Sequence, residues 1–336
     1  MHHKLYNTIN PSIAVEVHGL VKHFGDNRAV DGIDLQIPTG TVYGVLGPNG
    51  AGKTTALRIL STLMKPDKGS AKIFGHDILT EGQIVRQLIG LTGQYASVDE
   101  KLSANENLYI FSRLLGFSRS DSRKKTKELL EEFGLMEAAT RPLAKFSGGM
   151  RRRLDLAASL ISKPPLIFLD EPTTGLDPRT RIQMWNTIRS LVSDGSTVIL
   201  TTQYLDEADQ LADHIAVIDR GKVIAQGTPT QLKASVGAAT LELKLIDKTE
   251  YEIAKTVIQS LLLVEGHFSS EGILTAPLSD PELITDVLLA LRNRNIQLSE
   301  VSVKTPTLDE VFLAITGHET EKVAVESTFS LTTNNK

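Results

Sequence analysis

A glycine-rich segment, GPNGAGKT at residues 47–54, restricts the folds open to this chain more than any other feature. It follows a short apolar strand, TVYGVLG, and precedes ALRILSTLM, which places Ala56, Leu60, Leu63 and Met64 on one predicted helical face. The segment fits the phosphate-loop pattern G-x-x-x-x-G-K-[ST], which requires a strand before it and a helix after it. A glycine-rich turn with a chance lysine is the alternative, and this context argues against it.

The residue types of this loop suit phosphate binding. Gly47, Gly50 and Gly52 let the backbone curl so that its N–H groups face phosphate oxygens. Lys53 sets a positive charge beside the β- and γ-phosphates, and the Thr54 hydroxyl can ligate Mg²⁺. The loop alone does not distinguish a kinase, a GTPase, a motor or a transporter ATPase. The predicted nucleotide-binding residues of the loop are Gly47, Pro48, Asn49, Gly50, Ala51, Gly52, Lys53, Thr54 and Thr55.

Composition excludes several other classes of protein. The 336 residues carry a net charge of −4, which argues against broad wrapping of nucleic acid. There is no cysteine, so disulfides and thiolate metal sites are excluded. No apolar run approaches the roughly 20 residues that span a bilayer, and the N-terminus lacks the apolar core of a signal peptide. We expect a cytoplasmic protein whose membrane role depends on a partner.

Apolar strands alternate with predicted helices along most of the chain, which indicates a parallel α/β core. The stretches IAVEV and IDLQI alternate with period two, as antiparallel strands with one exposed face do. Residues 95–160 are predicted to be mostly helical, with a capping box formed by Ser103 and Glu106. The predicted divisions are an N-terminal extension at 1–12, a nucleotide-binding domain at 13–236, a small α/β domain at 237–317 and a disordered tail at 318–336.

Two acids end the apolar strand LIFLDE at residues 166–171. Asp170 is placed to hold Mg²⁺ through water, and Glu171 is then placed to polarise the attacking water. A strand that simply ends in solvated acids is the alternative. The spacing from Lys53 favours the catalytic interpretation, because it leaves room for one helical insertion.

Four further motifs resemble those of the nucleotide-binding subunit of an ABC transporter. FSGGM at 146–150 resembles the signature, and TGLDP at 174–178 resembles the D-loop. GLTGQYASVDEKL matches the Q-loop, and TTQYLDEAD matches the switch region. The resemblance covers residues 13–235 and implies the α/β fold of an ABC-type P-loop NTPase. That fold has a mixed sheet core, antiparallel N-terminal strands and a helical subdomain, and here a small C-terminal α/β domain follows it.

The resemblance implies that two of these motifs act across a dimer. Ser147 and the N–H groups of Gly148 and Gly149 would bind the γ-phosphate held by the opposite subunit. Asp177 would lie at the dimer interface. Each ATP would therefore be enclosed between the phosphate loop of one subunit and the signature of the other.

The remaining motif residues either follow the family or depart from it. Gln94 would contact Mg²⁺ and couple to the membrane subunit, and Phe24 would stack on adenine. Met150 replaces the usual signature glutamine, whose role is mainly local packing. The arginines at 151–153 are interpreted as a solvated face, with a phosphate contact as the alternative.

Gln203 occupies the position of the switch histidine, where its amide can donate a hydrogen bond to phosphate but carries no charge. We expect slow but real hydrolysis, with a dead site as the alternative.

The C-terminal TPTLDEVFLAITG, with TTQYLDEADQLAD and SGGMRRRLDLA, resembles the drug-export ATPases of the daunorubicin resistance type. This resemblance implies an ATPase that uses Mg²⁺, dimerises with a second such subunit and drives a separate membrane permease from the cytoplasmic face, without nucleic acid. Three alternatives stay open: export of lipid or polysaccharide, a regulatory ATP-binding switch, and a soluble translation or repair ATPase. Locally, LDEVFLAI predicts an amphipathic helix whose core residues are Leu308, Val311, Phe312 and Ile315.

Overall fold

The computed structural model describes residues 12–92, 98–269 and 272–317. The chain divides into two compact units, Met1–Ala234 and Ser235–Lys336. Apart from Ser12, the predicted N-terminal extension and the predicted disordered tail lie outside the described residues.

The first unit is built around a mixed sheet that confirms the predicted α/β core. The strands of the whole unit are β1 (Ile13–Phe24), β2 (Asn27–Pro38), β3 (Val42–Leu46), β4 (Lys68–Ile73), β5 (His76–Asp77), β6 (Ile89–Thr92), β7 (Leu166–Asp170), β8 (Thr197–Thr202), β9 (His214–Asp219) and β10 (Lys222–Gly227). Six of them form a sheet in the order β10-β9-β3-β8-β7-β6, in which only β10 runs antiparallel to its neighbour. Strands β3, β7 and β8 are buried along their whole length, as expected for parallel strands covered on both faces.

A second, antiparallel sheet in the order β2-β1-β4-β5 contains the two N-terminal strands that the alternating pattern predicted. The helices of the unit are α1 (Lys53–Leu60), α2 (Gly82–Leu88), α3 (Ala104–Leu114), α4 (Arg119–Glu132), α5 (Gly148–Ser159), α6 (Pro178–Ser193), α7 (Leu205–Leu211) and α8 (Pro229–Ala234). Strand β4 was not predicted, because its sequence, KGSAKI, contains only two apolar side chains.

Helix α1 is shorter than its apolar pattern predicts. It ends at Leu60, and Thr62 adopts a left-handed backbone with φ of 64°. The chain therefore turns before Leu63, whose side chain is 64% exposed, so the prediction that Leu63 shares the buried helical face is wrong.

Helices α3, α4 and α5 form the helical part of the unit. The predicted capping box is confirmed: the Ser103 hydroxyl accepts from the N–H of Glu106, and the Glu106 carboxylate accepts from the N–H of Ser103 at 2.8 Å. Buried residues of these helices, among them Leu108, Leu129 and Leu154, join one apolar cluster with one face of the central sheet.

The second unit has its own sheet and core. Its strands are β11 (Ala239–Leu245), β12 (His267–Phe268), β13 (Ile273–Leu278) and β14 (Leu298–Lys304), in the antiparallel order β12-β13-β11-β14. Its helices are α9 (Tyr251–Leu262), α10 (Leu283–Asn293) and α11 (Leu308–Thr316). Leu241, Leu243 and Leu274 pack with Val257 and Leu291 in the core of this unit.

Helix α11 contains the LDEVF segment. Thr307 and Glu310 form a capping box at its start. Leu308, Val311 and Phe312 are buried as predicted, whereas Ile315 is only partly buried.

Among the residues that the structure describes, no helix combines the length and the apolar character needed to cross a bilayer.

Candidate nucleotide site

The phosphate loop joins the C-terminal end of β3 to the start of α1. Its first residue, Gly47, donates its N–H to the carbonyl of Thr202 at 3.4 Å. A Cβ at Gly47 would lie 2.1 Å from the carbonyl oxygen of Ile218. Gly52 combines a φ of 107° with an equally close approach to the Ala29 carbonyl. No side chain fits at either position, so the loop's path depends on both glycines.

The ammonium group of Lys53 lies inside this loop. Its Nζ donates to the carbonyls of Gly47 at 2.7 Å and Pro48 at 3.0 Å, and lies 3.9 Å from Oε1 of Glu171. Burial lowers the pKa of Lys53, while the negative charges of Glu171 and Asp170 oppose that shift. The carboxylates therefore help to keep a buried cation charged where phosphate oxygens would bind.

Asp170, the last residue of β7, is held by two hydroxyl groups. Its Oδ1 accepts from Thr201 Oγ1 at 2.6 Å and from Thr54 Oγ1 at 3.1 Å. A buried carboxylate beside a hydroxyl supplies the hard oxygen ligands that Mg²⁺ prefers, so the donor set fits this cation. The sequence analysis did not identify Thr201 as a partner of Asp170. Its position near the end of a strand beside LIFLD was the feature that could have indicated this role.

Glu171 follows Asp170 in a left-handed backbone conformation with φ of 49°. Its N–H donates to both the carbonyl and the hydroxyl oxygen of Thr201, each at 3.1 Å. Its Oε2 accepts from the hydroxyl of Thr174 at 3.2 Å. The carboxylate is thus turned towards Lys53 and the phosphate loop.

Arg152 is a residue whose role the sequence analysis missed. From helix α5, its guanidinium donates to the carbonyls of Asp170 at 2.6 Å, Glu171 at 2.8 Å and Pro172 at 3.1 Å. Arg151 binds Glu100 at 2.7 Å, and Arg153 donates to a carbonyl of the helical segment. The prediction of a solvated face is therefore wrong for Arg152 and Arg153, which are half-buried and hydrogen-bonded to backbone carbonyls, whereas Arg151 pairs with an exposed glutamate as a solvated residue does.

Gln203 follows β8 and is partly buried. Its neighbour Thr202 supplies the carbonyl that binds the phosphate loop, so Gln203 emerges beside that loop. Helix α7 begins two residues later and carries Glu207, which is fully buried and accepts from the indole N–H of Trp185 at 3.2 Å. Burial raises the pKa of Glu207. This acid was also missed, since DEAD suggested only a charged helix start.

The signature residues lie at the N-terminus of α5. Ser147 caps the helix by accepting from the N–H of Met150 at 3.3 Å, and both Ser147 and Gly148 are exposed. The first N–H groups of a helix have no partner within it and suit an anion. A Cβ at Gly149 would lie 2.7 Å from Cγ2 of Thr180, so only glycine permits this approach of α5 to α6. Met150 packs against the apolar cluster of the helices.

Asp177 caps the N-terminus of α6. Its carboxylate accepts from the N–H of Thr180 at 3.0 Å and from the hydroxyl of Thr180 at 2.6 Å. These hydrogen bonds lower the pKa of Asp177. The D-loop and the signature therefore meet at Thr180, which contacts both segments.

The other predicted residues of the hairpin and the phosphate loop differ in their exposure to solvent. Phe24 ends β1 at the tip of a hairpin, where its side chain is 48% exposed. Asn49 and Gly50 are exposed at the top of the phosphate loop, while Ala51 is buried and Thr55 is partly buried in α1. Gln94 lies outside the described residues.

The structure thus brings some predicted residues into contact and leaves others apart. Lys53, Thr54, Asp170 and Glu171 form one cluster, joined by Thr201. Within the described ranges, no hydrogen bond or ion pair joins Phe24, Ser147 or Asp177 to this cluster. Their assignment to nucleotide binding stays a prediction.

Comparison of the sequence with known proteins finds similarity to ATP-binding proteins of transporters. A family model described as ABC transporter matches residues 30–174. Over 317 residues the chain is 51% identical to the daunorubicin/doxorubicin resistance ATP-binding protein DrrA of Streptomyces peucetius, covering 94% of this chain and 96% of that protein. It is 37% identical to a Nod factor export ATP-binding protein I of Ralstonia nicotianae, with 91% and 94% covered.

A solved structure extends the similarity to the fold. It is a dimeric ATP-binding cassette in a post-hydrolysis state bound to ADP and Pi, and it superposes with a TM-score of 0.58 at 26% identity. The match covers 64% of this chain and 98% of the other.

Proposed function

This chain belongs to the ABC transporter ATP-binding family, and from that premise we propose that it powers an exporter of drug-like amphipathic compounds. It hydrolyses ATP, as its family does. In our proposal two copies enclose two ATP molecules and act on a separate integral membrane permease, with this subunit bound at the cytoplasmic face.

One observation carries this proposal: the contact cluster of Lys53, Thr54, Asp170 and Glu171. A buried ammonium and a carboxylate 3.9 Å apart, with a hydroxyl and a second carboxylate 3.1 Å apart, provide the groups that phosphoryl transfer needs. The nature of the exported compound rests on the relative named for daunorubicin and doxorubicin resistance.

Hydrolysis in this site depends on charge and position. Lys53 leaves its carbonyl partners to bind β- and γ-phosphate oxygens. Glu171 accepts a hydrogen bond from a water molecule and orients it. The water oxygen bonds to the γ-phosphorus as the bond to the β–γ bridging oxygen breaks, and one water proton passes to the Glu171 carboxylate. This yields ADP and phosphate, and Glu171 then releases the proton to solvent. The side-chain amide N–H of Gln203 donates a hydrogen bond to a γ-phosphate oxygen. This hydrogen bond forms only when the γ-phosphate is present, and it adds no charge.

Mg²⁺ would be held by Thr54 and Asp170, with Gln94 as a further ligand from the Q-loop. When bound, it would neutralise charge that develops on the phosphate oxygens. Thr201 keeps the Asp170 carboxylate in place through its 2.6 Å hydrogen bond.

Dimerisation completes the site in this proposal. The exposed start of α5 offers Ser147 and the N–H groups of Gly148 and Gly149 to the γ-phosphate of the partner's ATP. Asp177 lies on the same surface, because Thr180 contacts both segments. Since ATP binds the closed dimer better than the open one, it shifts the population towards closure. Phe24 stacks on adenine.

A second candidate is export of a different compound by the same machinery. The relative named for Nod factor export supports it, at 37% identity rather than 51%. The lower identity places this candidate behind drug export.

The first test measures Mg·ATP hydrolysis by the purified chain over a range of protein concentrations. We expect a rate per subunit that rises with concentration, since each site needs two copies. Glu171→Gln should lower this rate by about 100-fold or more. Glu128→Gln makes the same change at an exposed residue of α4, whose ion pair of 4.0 Å contributes little, and should leave the rate unchanged. Equal rates in the wild type and Glu171→Gln, with and without the permease, would contradict the proposal.

The substrate needs a separate assay. Inverted membrane vesicles containing the permease and this chain should accumulate daunorubicin when ATP is added, and should fail to do so with Glu171→Gln. ATP hydrolysis without daunorubicin transport would contradict drug export while leaving the ATPase assignment intact.

A further inference from the structure

Arg152 joins the signature helix to the backbone that carries the predicted catalytic carboxylate. It lies in α5, five residues after Ser147 in the chain. Its guanidinium donates to three successive carbonyls, those of Asp170, Glu171 and Pro172, at 2.6, 2.8 and 3.1 Å. Because a guanidinium is planar and carries five donors, it can bind several acceptors at once.

The backbone held in this way is strained. Glu171 is not glycine, yet its φ is 49°, a conformation that costs free energy for a residue with a Cβ. It persists only where the surroundings fix it. On one side of Glu171, its N–H is bound by Thr201 of β8 at 3.1 Å. On the other side, its carbonyl is bound by Arg152 of α5 at 2.8 Å.

We propose that Arg152 is a positioning residue: by holding the carbonyls of Asp170, Glu171 and Pro172, it maintains the left-handed turn that aims the Glu171 carboxylate at its own subunit's ATP. The inference rests on the proposed function, in which Glu171 polarises the attacking water. It assigns a further task to α5, whose first turn faces the ATP of the partner subunit. One helix therefore acts on both ATP molecules, through its N-terminus and through Arg152.

The electrostatic setting suits this task. Burial lowers the pKa of Arg152, while the charges of Asp155, Asp170 and Glu171 oppose that shift. The guanidinium stays charged and its hydrogen bonds to the carbonyls are charge-assisted. A lysine at this position would keep the charge but would lose the planar fork that binds three carbonyls.

The test compares Arg152→Gln and Arg152→Lys with Arg153→Gln. Arg153 is the control because it is half-buried in the same helix, yet donates to the carbonyl of Phe133 at 3.0 Å, away from the carboxylate pair. We expect Arg152→Gln to lower kcat by about 10- to 100-fold, since a displacement of about 1 Å can cost that much. The KM and the equilibrium Kd for Mg·ATP should change less than about twofold, because the phosphate loop is untouched and the Asp170 carboxylate keeps its hydrogen bonds to Thr201 and Thr54.

Arg152→Lys keeps the test informative if Arg152→Gln does not fold. It should keep the thermal unfolding midpoint within the range of Arg153→Gln and still lower kcat by about tenfold. If Arg152→Lys and Arg152→Gln both retain wild-type kcat, the inference is overturned. If kcat falls equally in Arg153→Gln, the effect is a general property of α5, which also overturns it.

Mixed dimers show on which ATP the residue acts. A dimer of one wild-type and one Glu171→Gln subunit keeps a single working carboxylate. Arg152→Gln placed in the Glu171→Gln subunit should leave this remaining rate unchanged, whereas in the other subunit it should remove most of it. The reverse pattern would mean that Arg152 acts on the partner's ATP through the signature, which overturns the proposal.

The ATP hydrolysis rate of the wild type distinguishes failure of the Arg152 inference from failure of the proposed function. A wild-type chain that hydrolyses ATP while the Arg152 variants match it overturns this inference alone. A chain that hydrolyses no ATP, with or without the permease, overturns the proposed function and the inference with it.

Discussion

Thr201→Val tests whether the hydroxyl behind Asp170 orients the carboxylate that we propose to hold Mg²⁺. The Thr201 hydroxyl is fully buried and donates to Asp170 Oδ1 at 2.6 Å. Valine has nearly the same volume, so the substitution opens no cavity; it removes this hydrogen bond and the one that the hydroxyl accepts from the N–H of Glu171 at 3.1 Å. The N–H of Glu171 keeps the Thr201 carbonyl as its acceptor at 3.1 Å and is not left unpaired.

The expected cost follows from the charge of the acceptor. A hydrogen bond to a charged group contributes about 1.5–3 kcal/mol, whereas a bond between neutral groups contributes about 0.5–1.5 kcal/mol. Thr197→Val is the matched control, because Thr197 lies in the same strand, is equally buried, and accepts from the N–H of Gly40 at 2.9 Å. We therefore expect Thr201→Val to lower the free energy of unfolding more than Thr197→Val does, by about 1 kcal/mol.

Urea unfolding measured by tryptophan fluorescence suits this comparison. The chain has a single tryptophan, Trp185 in α6, so its signal reports on the first unit alone. The activity assay provides the second measurement. Loss of a residue that orients a metal ligand costs about 10- to 100-fold in metal affinity or activity, so Thr201→Val should raise the Mg²⁺ concentration for half-maximal hydrolysis accordingly. Thr197→Val should not change it. Equal losses of stability in the two variants, together with an unchanged Mg²⁺ requirement, would mean that the Thr201 hydroxyl does not orient the Asp170 carboxylate.

Two other predictions concern the switch region. Gln203→His should raise kcat by up to about tenfold below about pH 6.5, because a charged donor binds phosphate more strongly than a neutral amide, and Gln203→Ala should lower it. Steady-state hydrolysis checks both, and wild-type turnover in Gln203→Ala would contradict a switch role. Glu207 has a raised pKa because it is buried, so its contribution to stability is present below its unfolded pKa of about 4.3 and is lost as pH rises through its folded pKa. Glu207→Gln keeps an acceptor for Trp185, so its thermal midpoint relative to wild type should increase from about pH 4 to pH 7; a difference that is constant across this range would argue against a buried charge.

The local sequence contained enough information to predict the phosphate loop, the acids at the end of β7 and the capping box at Ser103. Each depends on residues that are adjacent or separated by one helical turn, so spacing and residue type describe the interaction completely. The same holds for the strands β3, β7 and β8, whose continuous apolar runs mark burial on both faces. The family resemblance added the expected roles of Ser147 and Asp177, which no local pattern would assign and which stay predictions.

The side chains that surround the carboxylates come from distant parts of the chain, so the fold determines them. Thr201 and Asp170 are 31 residues apart in the chain, and Arg152 and Asp170 are 18 apart. These partners meet because β7 and β8 are adjacent in the sheet and α5 lies against the end of β7. A run of arginines on a helix does not reveal whether it faces water or a strand end, and a threonine in a strand does not reveal whether its hydroxyl meets a charge. Pairing of the strands and packing of the helix set these contacts, which is why the sequence predicted the reactive groups while the fold alone decided what orients them.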